Sequence, residues 1–142
     1  MKEIKRKRIK IGDVISIPLP TGKFAFGRIY GDASIAIYKD IGNSLSDLPM
    51  NEEYQFIVGI YKYALKTAGW IIVDHREFDN EEDKWPPPTK IINQISGEYS
   101  IYYKGEIKPS SFDDCKDLET AAVWADNHII DRIMGINTWH KE

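Results

Sequence analysis

Apolar and polar positions alternate along the first forty residues, whereas the last thirty place their apolar side chains at helical spacing. Over residues 23–30, Phe24, Phe26, Arg28 and Tyr30 share one face of an extended chain; Ala25, Gly27 and Ile29 share the other. Residues 14–17, stopped by Pro18-Leu19-Pro20, predict a preceding strand, and residues 33–39 a following one. Thr21-Gly22 and Gly31-Asp32 supply the turns, so the three strands read as a meander that curls into a half-barrel. Residues 41–51 are polar and rich in turn formers, a loop. Residues 54–65 hold Phe56, Ile57, Val58, Ile60, Tyr61 and Tyr63, a β-branched and aromatic content that favours strand over helix. Gly69 ends that segment, and Trp70-Ile71-Ile72-Val73 is another short strand.

An acidic run over residues 77–84 leads through Trp85 into Pro86-Pro87-Pro88. Prolines cannot donate to a ladder, so this is an extended connection. Residues 90–95, 98–103 and 106–108 then predict strands, the last two joined by a turn at Lys104-Gly105. Near the C-terminus Leu118, Ala121, Ala122, Ala125, Ile129, Ile133 and Ile136 form one helical stripe. Asp113, Asp114, Asp117 and Glu119 lie ahead of it, where a helix dipole favours negative charge, and Gly135 lies at its end. The expected fold is α+β: a mainly antiparallel sheet or half-barrel with one long C-terminal helix packed on it.

Composition narrows this picture. A chain of 142 residues fits one domain, and 42% hydrophobic residues suffice for a core without metal or disulfide. The single Cys115 rules out an internal disulfide and fits a reducing compartment. No apolar run marks a membrane span or signal sequence, so the expectation is a cytoplasmic protein. Residues 1–10 read as a flexible basic tail, 11–136 as the domain and 137–142 as a C-terminal tail. Lys2, Lys5, Arg6, Lys7, Arg8 and Lys10 against Glu3 give the first ten residues a charge of +5. The net charge is −3, so the remainder carries −8. Nucleic acid is a poor partner for an acidic body, and a basic protein a good one.

Candidate chemistry fails on spacing. Cys115, His75, His128 and His140 match no zinc pattern. The alternation Asp79, Glu81, Asp83 opens like a calcium loop, but Lys84 and Lys90 stand where glycine and glutamate are required. Glu106-Ile107-Lys108 with Asp83 upstream resembles a nuclease signature; however, an acid-x-Lys triplet arises about twice by chance in such a composition. Four occur here. There is no nucleophile elbow and no glycine-rich phosphate loop, and the acidic neighbours of Cys115 oppose a reactive thiolate. The chain reads as a non-enzyme without cofactor. What remains are surfaces. Glu77, Asp79, Glu81, Glu82 and Asp83, flanked by Phe78 and Trp85 on a proline-fixed loop, suit a partner-binding patch that loses little entropy on docking.

Several segments resemble the immunity protein 26 family of bacterial polymorphic toxin systems. They are Lys10-Ile11-Gly12-Asp13-Val14-Ile15-Ser16-Ile17-Pro18-Leu19-Pro20, then Gly22-Lys23-Phe24-Ala25-Phe26-Gly27-Arg28, then Gly69-Trp70. A fourth runs from Asp117 through Trp124, followed by His128-Ile129 and Arg132-Ile133. The resemblance implies a protein that binds and neutralises a cognate toxin domain by stoichiometric contact. Its recurrent residues here are Phe26, Gly27, Trp70, Glu119, Trp124 and Arg132, which read as structural. The toxin site is therefore expected in the acidic loop, against a basic surface of the kind a nuclease carries. The alternative is a nucleic-acid-binding adaptor that uses the basic tail and a stacking surface of Phe24, Phe26 and Tyr30.

Overall fold

A computed structural model describes residues 8–136, so the tail over residues 1–7 and the segment with Trp139 and His140 lie outside the described residues. In chain order the strands are β1 (Asp13–Pro18), β2 (Phe24–Tyr30), β3 (Ser34–Tyr38), β4 (Tyr54–Ile60), β5 (Ile71–His75), β6 (Thr89–Ile92), β7 (Tyr99–Tyr103), β8 (Glu106–Ser110) and β9 (Val123–Trp124). The helices are α1 (Lys62–Thr67), α2 (Phe112–Cys115) and α3 (Asp126–Ile133), with a 3-10 turn at Glu81–Lys84. Six strands form one mixed sheet in the order β5-β1-β2-β3-β4-β9, and β6-β7-β8 form a second, antiparallel sheet. The fold is α+β, with a mixed six-stranded sheet beside a three-stranded one.

The alternation in β2 separates two cores. Ala25 and Ile29 point to the larger one, with Ile15, Ile17, Ile35, Ile37, Val58 and Ile60, covered by Ala64 of α1, Ile129 of α3, Trp70 and Trp124. Phe26 points the other way, with Val14 and Tyr38, and is covered by Leu48 of the long β3–β4 loop and by Tyr54 and Val73. Phe26 is fully buried, Tyr30 is 9% exposed and Phe24 packs half-buried against the smaller core, so these three rings offer no open stacking surface. A bulge at the end of the β3–β4 ladder places Tyr54 in the smaller core although Phe56 faces the larger. At Gly27 a Cβ would lie 2.5 Å from Ile35 Cδ1 and 2.9 Å from its Cγ1, so a larger residue must displace that buried side chain.

Two expectations are overturned. Residues 54–65 do not form one strand: β4 ends at Ile60, and Tyr61 caps α1, whose Ala64 reaches the core. The long C-terminal helix is absent. Three of its seven stripe positions are alanines, which satisfy a periodicity with little apolar area to bury. Residues 119–124 run extended instead. Lys90 N donates to Glu119 O (2.9 Å) and Ala121 N to Lys90 O (2.8 Å), tying β6 to this segment. Val123 and Trp124 then pair in parallel with Gly59 and Ile60 of β4. Gly59 permits that approach, since a Cβ would lie 2.8 Å from Ala122 O. Of the described residues from Leu118 onward only the eight of α3 are helical, and they bury Ile129.

Candidate functional site

The acidic loop is fixed to the sheet along its length. Arg28 of β2 has a side chain only 9% exposed. Its Nε and Nη2 donate to Arg76 O (2.9 and 2.6 Å), and Nη2 also donates to Glu77 O (2.9 Å). The guanidinium lies 3.8 Å from the centre of the Phe78 ring, and Phe78 packs edge-on against Tyr30. At the far end of the loop Gly31 N donates to Lys84 O (2.8 Å), which seats the 3-10 turn on the β2–β3 hairpin. Lys104, in the β7–β8 hairpin, pairs with Glu82 and so links the loop to the second sheet.

Beneath the loop lies a knot of polar side chains. Glu52 Oε1 accepts from Tyr38 (2.7 Å), Tyr54 (2.9 Å) and Arg28 (3.2 Å), and Oε2 accepts from Arg76 Nη1 (2.6 Å). Arg76 also donates to Asp74 Oδ2 (2.9 Å) and to Pro49 O (2.9 Å). Burial acts to raise the Glu52 carboxyl, but the bonds from Tyr38, Tyr54 and Arg76 outweigh it and hold Glu52 below its ordinary value. Asp74 is lowered likewise: the Arg76 and His75 N–H donors overcome its desolvation. Burial pushes the Tyr54 phenol up to about 12. Tyr38 is raised by burial and by its bond to Glu52, and Tyr30 by burial and its contact with Tyr54. The knot therefore holds two carboxylates, two guanidinium groups and neutral phenols, with each polar head partnered.

The carboxylates of the loop point outward. Glu77, Glu81 and Glu82 have side chains 84%, 86% and 74% exposed, so water, not protein, solvates most of each one. Asp79 and Asp83 are exposed as well, and Asp83 accepts from Asn80 Nδ2 (3.2 Å). Lys84 pairs with Glu81. Exposed pairs of this kind contribute about 0–1 kcal/mol and exchange readily for a partner's cations. Trp85 is half-buried beyond the turn. A concavity of about 450 Å³ between the loop and the knot is lined by Arg28, Tyr54, Glu52, Phe78, Asp79 and Asp83, among others.

The other singled-out residues lie elsewhere. Trp70 and Trp124 are 6% and 8% exposed in the larger core. Arg132 of α3 forms a two-point bond to Glu119 (2.8 and 2.7 Å) and lies over Phe56 (4.1 Å) and Trp124 (5.2 Å). Cys115 is buried. Glu106 and Lys108 sit 3.6 Å apart on exposed β8. His75 Nδ1 lies 2.7 Å from Asp13 Oδ1, and His128 is exposed. Among the described residues no group of three or more His, Cys, Asp or Glu could hold a metal ion. No helix of the described residues is long and apolar enough to cross a membrane. Sequence reasoning passed over Arg28, Glu52 and Arg76, which hold the loop. The available signal was Arg28 itself, a charge on the apolar face of a strand between Phe26 and Tyr30.

Fold and site together define a rigid α+β scaffold that displays an acidic, aromatic-flanked loop. Residues 10–101, more than half of the chain, match the family model of Immunity protein 26, and the chain belongs to that family. Toxin neutralisation is the general function of immunity proteins. The match includes Phe26, Gly27, Trp70 and the whole acidic loop; Glu119, Trp124 and Arg132 lie beyond it. No curated protein and no solved structure matches the chain.

Proposed function

We propose that the chain neutralises a cognate toxin domain in the cytoplasm by stoichiometric binding, with Glu77, Asp79, Glu81, Glu82, Asp83 and Trp85 covering a basic surface on that domain. The reading takes residues 11–136 as the immunity domain. One observation carries it: five carboxylates are held on a backbone already clamped by Arg28, Gly31 and Lys104, so little ordering entropy opposes docking. A basic, nuclease-like toxin surface is the complementary partner, and steering by opposite charge is what such a loop provides.

The test is the association rate with the cognate toxin domain, for the wild type and for the triple variant Glu81→Lys, Glu82→Lys, Asp83→Lys. The variant is expected to associate about 10–100 times more slowly at low salt, with the gap narrowing as salt screens the charges. An unchanged rate and affinity would remove the loop from the interface.

A further inference from the structure

Among the described residues three non-glycines have a left-handed backbone: Asp32 (φ 56°), Ala33 (φ 50°) and Lys104 (φ 51°). All three line one cleft of about 460 Å³ between the two sheets. Aspartate tolerates this conformation, but alanine and lysine do not favour it. Lys104-Gly105 is a two-residue hairpin turn in which asparagine or aspartate is the usual first residue. Both turns are held by long-range bonds: Tyr102 Oη donates to Asp32 (2.7 Å), Ile60 N donates to Ala33 O (2.8 Å), and Lys104 pairs with Glu82. Strain that surrounding structure maintains concentrates at binding sites.

The cleft has an apolar interior and an acidic surround. Ile57, Val58, Pro86, Pro87 and Val123 line it, and Val123 is 53% exposed. Pro86 and Pro87 continue directly from the acidic loop. Asp32 and Glu119 line the cleft, Glu119 held by Arg132, and Lys104 at its edge pairs with Glu82, so the acidic turn over residues 81–83 adjoins it.

We infer that the inter-sheet cleft is a pocket for a single large aliphatic side chain on a basic segment of the toxin, whose lysines or arginines meet Glu81, Glu82 and Asp83. This deepens the proposed function and rests on the acidic loop being the docking face. The charge around the cleft selects a cationic segment, and its apolar lining takes the anchor.

The experiment titrates the full chain, labelled with nitrogen-15, with a lysine- and arginine-rich peptide carrying one leucine, and with the same peptide carrying serine instead. The leucine peptide is expected to shift the amides of Ile57, Tyr102 and Val123 as well as those of residues 79–85. It should bind roughly tenfold more tightly than the serine peptide, which shifts the loop alone. Ala122→Trp, which fills the cleft, should erase the leucine advantage while its spectrum reports an intact fold. Identical loop-only shifts from both peptides would overturn the cleft and leave the loop reading standing. Cleft shifts without loop shifts would support the pocket and overturn the loop. An Ala122→Trp variant that keeps the leucine advantage would overturn the pocket.

Discussion

Replacing Arg28 with methionine isolates the clamp under the acidic loop. Methionine keeps the unbranched aliphatic stem but ends short of the guanidinium, so it removes every donor and the cation over Phe78. The change strands Arg76 O and Glu77 O, takes one donor from Tyr54 Oη, and deletes one of the two cations on Glu52. Hydrogen bonds from a charged donor contribute about 1.5–3 kcal/mol each, and removing one member of a buried pair costs about 3–5 kcal/mol. Glu52 is 43% exposed and keeps Arg76, Tyr38 and Tyr54, which places the loss at the low end of that range. We therefore expect Arg28→Met to lose about 3 kcal/mol, or about 10 °C in Tm for a domain of this size. Urea unfolding and differential scanning calorimetry read the loss. Amide exchange over residues 76–85 should accelerate more than exchange in β3, because the tether to Arg76 and Glu77 is gone. Arg28→Lys should recover only part of the stability, since one ammonium cannot reach two carbonyls and a carboxylate together. A loss under about 1 kcal/mol with unchanged loop exchange would refute the clamp.

Arg132→Lys keeps the charge but gives up the two-point bond to Glu119 and the stacking over Phe56 and Trp124, so the urea midpoint should fall by the equivalent of about 1–2 kcal/mol. An unchanged midpoint would show that charge alone matters there. Stability should also weaken at both pH extremes. Glu52 and Asp74 are lowered on folding, so their contribution is complete above the ordinary values of 4.5 and 3.8 and is lost as pH falls through the lower folded values. The Tyr54 phenol is raised, so its contribution is complete below the ordinary value of 10.0 and is lost as pH climbs through about 12. Glu52→Gln should flatten the acid limb of a pH-dependent melting curve; an unaltered limb would place the acid-sensitive groups elsewhere.

The meander was legible because β1, β2 and β3 are joined by short turns and alternate cleanly, and Lys104-Gly105 announced its hairpin through the glycine. The C-terminal helix misled because Ala121, Ala122 and Ala125 complete a stripe without needing a buried face, whereas Val123-Trp124 had an available edge on β4. Residues 54–65 misled for the opposite reason. Their aromatics suit a strand, but Tyr61 and Tyr63 are exposed on α1 and stack on each other outside the core. The acidic loop stood out by composition. Its support did not, because Glu52 and Arg76 come from loops far apart in sequence and only the folded sheet brings them to Arg28.

The central claim is that the clamped acidic loop is the face that meets the toxin. Amide exchange of the chain alone and in its one-to-one complex with the toxin domain tests it most directly. The account predicts new protection over residues 77–85, with β5 and α3 unchanged. Protection confined to α1, where Tyr61, Lys62 and Tyr63 are exposed, with the acidic loop exchanging as before, would contradict it.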